Sequence, residues 1–158
     1  MKLNYIIIPL ITALVALSGS EFVEIGLKSW YKRLQLPDIA PDGITIGRVW
    51  TGIYVLTAIS VMIIWNSSDI AHSDPIFIYT IGLFVLNGVM NVFWNFLFFT
   101  LHLTGLATVE STALGLSVLA LILLAYPVSM PASLLLLPYF AWVCFTTYLN
   151  YNIWELNK

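Results

Sequence analysis

Amide side chains recur at a helical spacing within one long apolar stretch of the sequence. Asn87, Asn91 and Asn95 follow one another every four residues, and Trp94 borders the same stripe. At 3.6 residues per turn these side chains share one face of a helix. Amides donate and accept hydrogen bonds, and an indole offers a flat apolar ring. The stripe therefore predicts either hydrogen bonds between membrane helices or the wall of a ligand cavity.

The last apolar stretch carries a second stripe of the same kind. Tyr139, Trp142, Thr146 and Asn150 follow one another at spacings of three and four residues. Pro138 precedes them and cannot donate a backbone hydrogen bond, so we expect the helix to kink there. A kink of this kind is common in membrane helices without any ligand.

Two further sites add polar or aromatic groups. Trp50 and Tyr54 lie one helical turn apart, and Glu110 lies a few residues inside the fourth apolar stretch. A carboxylate inside a bilayer is costly, about 2.5–3.5 kcal/mol at the centre and less near the interface. Glu110 is therefore expected to reach headgroup water, to favour the helix start by its charge, or to face a pocket.

These side chains need membrane helices to position them. Hydrophobic residues make up 60% of the 158 residues and charged residues 9%, against about 25% charged in a soluble domain. The mean hydropathy is +0.93. A span needs roughly 20 apolar residues. We predict an all-α integral membrane protein, a single domain over residues 1–158, with five spans: Tyr5–Gly26, Ile44–Trp65, Ile76–Leu101, Leu106–Tyr126 and Ala132–Trp154.

The basic residues predict the orientation of this bundle. They gather at the first loop and at the end of the chain: Lys28, Lys32, Arg33, Arg48 and Lys158. The opposite side has Lys2, and its loop has Asp69 and Asp74. The positive-inside rule puts the N-terminus outside and the C-terminus in the cytoplasm, which suits a bacterial cytoplasmic membrane. A net charge of −2, with no other basic patch, excludes nucleic acid as a partner.

In this topology the polar and aromatic candidates gather toward the cytoplasmic half of the bilayer, with Asn87 and Trp142 near its midplane. A cavity that opens toward the first loop explains this gathering. The loop, between Leu27 and Gly43, is itself apolar and contains Pro37 and Pro41. We expect it to fold over the bundle as a lid, or to rest as an amphipathic segment at the headgroups.

Four stretches of the sequence together resemble the translocator protein family, also called tryptophan-rich sensory proteins or peripheral benzodiazepine receptors. Trp30-Tyr31-x-x-Leu34-x-x-Pro37-x-x-x-Pro41 resembles the family's loop pattern WYxxLxKPxWxPP, and Trp50-x-x-x-Tyr54 resembles its second-helix pattern. Asn91-x-x-Trp94 with Phe98-Phe99 resembles the third-helix pattern, and Pro138-Tyr139-x-x-Trp142 with Leu149-Asn150 resembles the fifth. The match is collinear over nearly the whole chain.

The resemblance implies a five-helix bundle, often dimeric, that binds porphyrins and haem-like tetrapyrroles, and in animal members also cholesterol and synthetic drugs. It places these residues at or near the pocket: Tyr31, Trp50, Asn87, Trp94, Glu110, Trp142 and Thr146. The chain departs from the family pattern in the loop, with Leu36 for Lys, Ile39 for Trp and Ala40 for Pro, and Thr146 stands where Ala is frequent.

Three functions follow as hypotheses. The first is a membrane receptor or carrier that binds a tetrapyrrole or another flat hydrophobic ligand, stacked between Trp50 and Trp142. The second is light-dependent porphyrin breakdown, with Trp50 and Trp142 as the redox indoles; an enzyme is the less favoured hypothesis. The third is a structural or regulatory module filled by lipid.

The predicted ligand site combines the residues named above: Tyr31, Trp50, Tyr54, Asn87, Asn91, Trp94, Glu110, Trp142, Thr146 and Asn150. No metal site and no required cofactor are expected, with porphyrin or haem as ligand. Expected partners are membrane lipid and a second copy of the chain. Small residues favour close approach of helices in a homodimer or within one subunit: Ala13, Ala16, Ser20, Gly82 and Gly88.

Overall fold

The computed structural model describes residues 3–28, 30–67 and 71–158, with the backbone alone for residues 25, 27 and 28. Its helices, in chain order, are α1 (Asn4–Lys28), a 3-10 helix (Tyr31–Arg33), α2 (Gly43–Asn66), α3 (Pro75–Asn95), a π-helix (Phe96–Thr100), α4 (Thr104–Ala125), α5 (Met130–Leu134) and α6 (Leu137–Leu156). Lys2, Asp69 and the side chain of Lys28, used above to predict the orientation, lie outside the described residues.

Within the described part of the chain, five segments are long and apolar enough to cross a membrane. They are Asn4–Glu24, Gly43–Asn66, Pro75–Thr100, Thr104–Ala125 and Met130–Leu156. These segments agree with the predicted spans to within a few residues. The prediction of an all-α bundle of five membrane spans is confirmed.

Acidic side chains set two of the helix starts. The Asp42 carboxylate accepts a hydrogen bond from the Thr45 backbone N–H at 2.9 Å and begins α2. Asp74 accepts from the Ile76 N–H at 2.8 Å, and Pro75 follows it in the first turn of α3. A side-chain oxygen at this position satisfies one of the backbone donors that a helix start leaves free.

The fifth span is two helices rather than one kinked helix. The short α5 ends at Leu134, and α6 begins at Leu137. Pro138 thus lies in the first turn of α6, where its missing N–H removes no helical hydrogen bond. The break precedes the proline, because a helix start tolerates proline better than a helix interior does.

The third span widens at its end. The Leu101 N–H donates to the Phe96 carbonyl at 3.0 Å, five residues earlier, which closes the π-helix Phe96–Thr100. Single π turns of this kind are frequent at functional sites. Here the wider turn buries Phe98 and Phe99 together with their neighbour Leu97.

The buried side chains form three apolar layers along the bundle. The layer at the first-loop end contains Leu97, Phe98, Phe99, Ala107, Leu149 and Ile153. The middle layer contains Ile53, Leu114, Val118, Tyr139 and Val143. The layer at the opposite end contains Ile64, Phe77, Ala125, Val128 and Ala132.

The first loop folds back onto the bundle, as predicted for a lid. The Trp30 ring stacks on His102 at 4.3 Å between centroids and meets Phe98 edge-on. Further along, the Gln35 N–H donates to Asn157 Oδ1, and Asn157 Nδ2 donates to the Gln35 carbonyl, both at 2.9 Å. The loop is therefore held at the same end of the bundle as the C-terminus.

Candidate functional site

A cavity of about 610 Å³ lies at the first-loop end of the bundle. Small-molecule sites usually have about 300–1,000 Å³. All five spans contribute to its wall, α1 and α3 with their C-terminal halves and α2 with its start, and the first loop covers it. Its lining residues are Ala16, Leu17, Gly19, Ser20, Val23, Tyr31, Leu36, Pro41, Asp42, Gly43, Ile46, Gly47, Trp50, Thr51, Tyr54, Trp94, Asn95, Phe98, Phe99, Ser111, Leu114, Thr146, Leu149, Asn150 and Ile153.

Aromatic rings supply much of this wall. On α2, Trp50 and Tyr54 lie with ring centroids 5.8 Å apart at an angle of 31°. On the third span, Trp94 stacks on Phe98 at 5.2 Å and 21°, and Phe99 meets Trp94 edge-on at 5.9 Å. These rings come from two different spans and give the cavity aromatic surface that suits a flat apolar molecule.

Six of the ten predicted ligand-binding residues line this cavity: Tyr31, Trp50, Tyr54, Trp94, Thr146 and Asn150. The other four, Asn87, Asn91, Glu110 and Trp142, are not among the lining residues. Periodicity predicts which face of a helix points inward, but an inward side chain can meet either the cavity or a neighbouring helix.

Asn87 and Asn91 are held in a chain of hydrogen bonds that crosses the bundle. The Tyr54 hydroxyl donates to Asn91 Oδ1 at 2.7 Å, and Asn91 Nδ2 donates to the Tyr139 hydroxyl at 3.2 Å. Tyr139 donates in turn to Asn87 Oδ1 at 2.9 Å, and Asn87 Nδ2 donates to Ser117 Oγ at 2.8 Å. This chain, which we call the amide network, joins α2, α3, α4 and α6.

The amide network gives two members of the asparagine stripe partners on other helices, and a role of these two residues in ligand binding stays a prediction. Asn87 and Asn91 form hydrogen bonds between helices, and the network reaches the cavity through Tyr54. Asn95, the third member of the stripe, donates to the Asn91 carbonyl at 2.9 Å and does line the cavity. Ser117 is the member that sequence reasoning missed, because a lone serine in an apolar helix carries no distinguishing signal.

Trp142 and Glu110 do not line the cavity. Trp142 packs against the middle apolar layer and beside Phe145, with ring centroids 5.3 Å apart. Both Glu110 carboxylate oxygens are buried without a hydrogen-bond partner. Of the two rings predicted to stack on a ligand, Trp50 lines the cavity and Trp142 does not. The roles of Trp142 and Glu110 in binding stay predictions.

The hydroxyl groups of the wall donate mostly to their own helix backbones. Ser20, Thr51 and Thr146 each donate to a carbonyl three or four residues earlier, at 2.8–3.1 Å. By contrast, Trp94 Nε1 and Asn150 Nδ2 are buried donors with no partner. Unsatisfied buried donors are costly, but neither of these two atoms is exposed to the cavity.

Small residues create the space, and sequence reasoning missed most of them as site residues. Gly43 and Gly47 line the cavity from α2, and a Cβ at Gly47 would meet no atom within 4 Å. Ala16 and Ser20, predicted as dimer or packing residues, line it from α1. The usable signal was their helical spacing, which places Gly43, Gly47 and Trp50 on one face of α2.

The charge of the wall comes from one acidic side chain among its described residues. Asp42 lies on the wall, and hydrogen bonds from the Thr45 hydroxyl and backbone N–H hold the pKa of its carboxyl below the ordinary value. Burial raises the pKa of the Tyr31 hydroxyl above its ordinary value, which already leaves this side chain neutral at physiological pH. Leu36, which replaces the lysine of the resembled loop pattern, also faces the cavity.

Comparison with known proteins gives one consistent result. The sequence model of the TspO/MBR family matches residues 6–155. The chain is 34% identical over 130 residues to the tryptophan-rich protein TspO of Bacillus cereus, with 82% of each chain covered. It is 32% identical over 145 residues to the TspO of Archaeoglobus fulgidus, covering 90% of each chain. It is 31% identical over 139 residues to the human translocator protein, covering 88% of this chain and 81% of the human one.

Proposed function

The chain belongs to the TspO/MBR family of membrane proteins, and from this membership and its cavity we propose that it is a membrane receptor or carrier for a flat hydrophobic ligand of the tetrapyrrole type. The observation that carries the proposal is the cavity of about 610 Å³ walled by aromatic rings from two spans. One relative is named translocator protein and another TspO, which agrees with a receptor or carrier.

The chemistry of the wall supports a flat apolar ligand. Trp50 and Tyr54 offer ring surface on α2. Trp94 offers it on the third span, where it stacks on the buried Phe98. We propose Trp94, in place of Trp142, as the second indole that contacts the ligand together with Trp50.

A cavity-filling variant tests this proposal. We expect Gly47→Phe to put a ring into the cavity, because Gly47 lines it and a Cβ there would have no atom within 4 Å. Titration of purified protein in lipid nanodiscs with protoporphyrin IX, followed by tryptophan fluorescence quenching, should show affinity reduced by at least roughly tenfold, equivalent to about 1.4 kcal/mol.

The same helix supplies a matched control. A Cβ at Gly52 would also meet no atom within 4 Å, but Gly52 does not line the cavity. Gly52→Phe should therefore bind protoporphyrin IX like the unmodified protein. Trp50→Phe should show less quenching of tryptophan fluorescence by the porphyrin, because it removes one of the two indoles proposed to contact the ligand. If Gly47→Phe binds as tightly as Gly52→Phe, the ligand is not in this cavity and the proposal is wrong.

We also propose that the chain spans a bacterial cytoplasmic membrane. The first loop and the C-terminus would face the cytoplasm, and the N-terminus would face outward. The hydrogen bonds between Gln35 and Asn157 hold loop and C-terminus at one end. Lys32, Arg33 and Lys158 lie at that end, and the positive-inside rule favours their retention in the cytoplasm. The cavity would then open toward cytoplasmic ligand.

A further inference from the structure

We infer that the cavity selects ligands without negative charge, so that a tetrapyrrole binds there as an uncharged form such as its ester, with free carboxylates disfavoured. This inference rests on the proposed function, because it concerns the same cavity and the same class of ligand. It follows from the charges and hydrogen-bond donors of the wall.

The described part of the wall contains the carboxylate of Asp42 and neither lysine nor arginine. Lys32 and Arg33 follow the lining residue Tyr31 in the 3-10 helix, but both are exposed and lie off the wall. Arg48 is also exposed and off the wall. It shares a face of α2 with two other exposed residues, Ile44 four positions before it and Val55 seven positions after it. No described cation on the wall therefore compensates a carboxylate that loses its hydration there.

The start of α2 would by itself favour an anion, because backbone N–H groups and the helix dipole attract negative charge at a helix start. Asp42 already takes that place. Its Oδ1 accepts from the Thr45 N–H at 2.9 Å and its Oδ2 from the Thr45 hydroxyl at 2.6 Å. A ligand carboxylate at this helix start would meet the like charge of the exposed Asp42.

Apart from Asp42, the described lining residues of the cavity are apolar side chains or uncharged polar groups. Leu36 and Pro41 of the first loop line the cavity beside Asp42. The amides of Asn95 and Asn150 and the hydroxyls of the wall are uncharged groups, and the hydroxyls of Ser20, Thr51 and Thr146 already donate to their own helices. Such a wall suits a neutral flat molecule.

The first experiment compares protoporphyrin IX with its dimethyl ester. Both are titrated into the protein in nanodiscs of zwitterionic lipid at neutral pH, and the signal from Gly47→Phe nanodiscs is subtracted to remove partitioning into lipid. We expect the ester to bind severalfold more tightly than the free acid, because a like-charge contact with an exposed carboxylate is unfavourable but screened by solvent. Equal or tighter binding of the free acid overturns the inference.

Two variants test the cause. Asp42→Asn keeps a good helix cap but removes the charge, so it should narrow the preference for the ester at least severalfold. The matched control is Asp74→Asn, which changes the same kind of cap at the opposite end of the bundle, at the start of α3. It should leave the preference unchanged, and an equal effect of both variants contradicts the role of Asp42.

A gain of function completes the test. Leu36→Lys places a cation at the mouth and should increase affinity for the free acid by about tenfold with little change for the ester; no gain for the acid counts against the inference. The two proposals fail differently. If Gly47→Phe lowers the binding signal of neither porphyrin, the proposed function is wrong. If it lowers both signals but the acid and the ester bind with equal affinity, only the charge selectivity is overturned.

Discussion

At the scale of single residues, hydroxyl and amide groups connect the cavity to the centre of the bundle. Tyr54 lines the cavity, and its hydroxyl donates to the buried Asn91. From there the amide network continues through Tyr139 and Asn87 to Ser117 on α4. In a membrane interior no water replaces a lost partner, so each link in this network matters for stability.

The first residue-scale prediction concerns Tyr54. Tyr54→Phe removes the donor to Asn91 Oδ1 and leaves this oxygen buried without its partner. We expect the free energy of unfolding to fall by about 1–3 kcal/mol. The measurement is a denaturant titration of wild type and variant in the same detergent. The control is Tyr79→Phe on α3, where the side chain is 67% exposed, and it should change stability little. Equal stabilities of the two variants would contradict the structural role of the network.

The second residue-scale prediction concerns pH and Asp42. Its pKa is lowered in the folded protein, mainly by the hydrogen bonds from Thr45. The stabilising contribution is therefore fully present above the pKa of an unfolded aspartate, about 3.9, and is lost as pH falls through the lower folded pKa. Thermal unfolding of wild type and Asp42→Asn across pH 3–7 should show the stability difference shrink on acidification. A difference that stays constant would refute this linkage.

At the scale of elements, the end of α1 and the π-helix are fitted to each other. A Cβ at Gly26 would lie 2.5 Å from Phe99 Cδ1 and 2.8 Å from its Cβ. Phe99 is buried and lines the cavity. The close approach of α1 thus depends on glycine at this position, and it holds one of the aromatic rings of the wall in place.

Substitution of Gly26 should therefore affect both stability and binding. We expect Gly26→Ala to displace Phe99, to destabilise the fold by about 1–3 kcal/mol, and to weaken porphyrin quenching. Gly82→Ala on α3 is the control, because nothing lies within 4 Å of a Cβ there, and alanine favours helix by up to about 1 kcal/mol. A Gly26→Ala protein as stable as the control would show that the contact is relieved at no cost.

At the scale of the whole molecule, the first loop, the cavity and the C-terminus share one end of the bundle. The loop packs through Trp30 on His102 and bonds through Gln35 to Asn157. Of the small residues predicted for helix association, a Cβ at Gly88 would meet Val15 of α1 at 3.4 Å, so this glycine serves packing within the subunit. A homodimer stays a prediction, and Gly82 is the member of that set on α3 with open space around it.

Cysteine labelling tests the proposed orientation of this molecule. In a Cys144→Ala background, single cysteines replace Ala71, which is exposed in the loop before α3, and Lys158, which is exposed at the C-terminus. A membrane-impermeant maleimide on intact cells should label position 71 and should label position 158 only after permeabilisation. The reverse pattern would invert the topology and turn the cavity mouth outward.

Composition and hydrophobic periodicity are enough to predict the five spans, the all-α class and the lid, because the length and polarity of a membrane helix are properties of the local sequence. Periodicity also predicts the inward faces, including those of Trp50, Trp94 and Asn150. Periodicity did not predict the break before Pro138 or the π-helix at Phe96–Thr100, because both depend on how neighbouring helices pack.

Which inward side chain meets the void and which meets another helix depends on three-dimensional packing. Asn91 and Trp142 fit an inward stripe as well as Trp50 does. However, Asn91 bonds to Tyr54 and Tyr139, and Trp142 packs against the middle apolar layer. Conversely, Gly47 and Asp42 become wall residues because α1, α2 and the loop leave space between them. Spacing along a chain fixes direction from a helix axis, whereas a cavity is an absence of neighbours and belongs to the assembled helices.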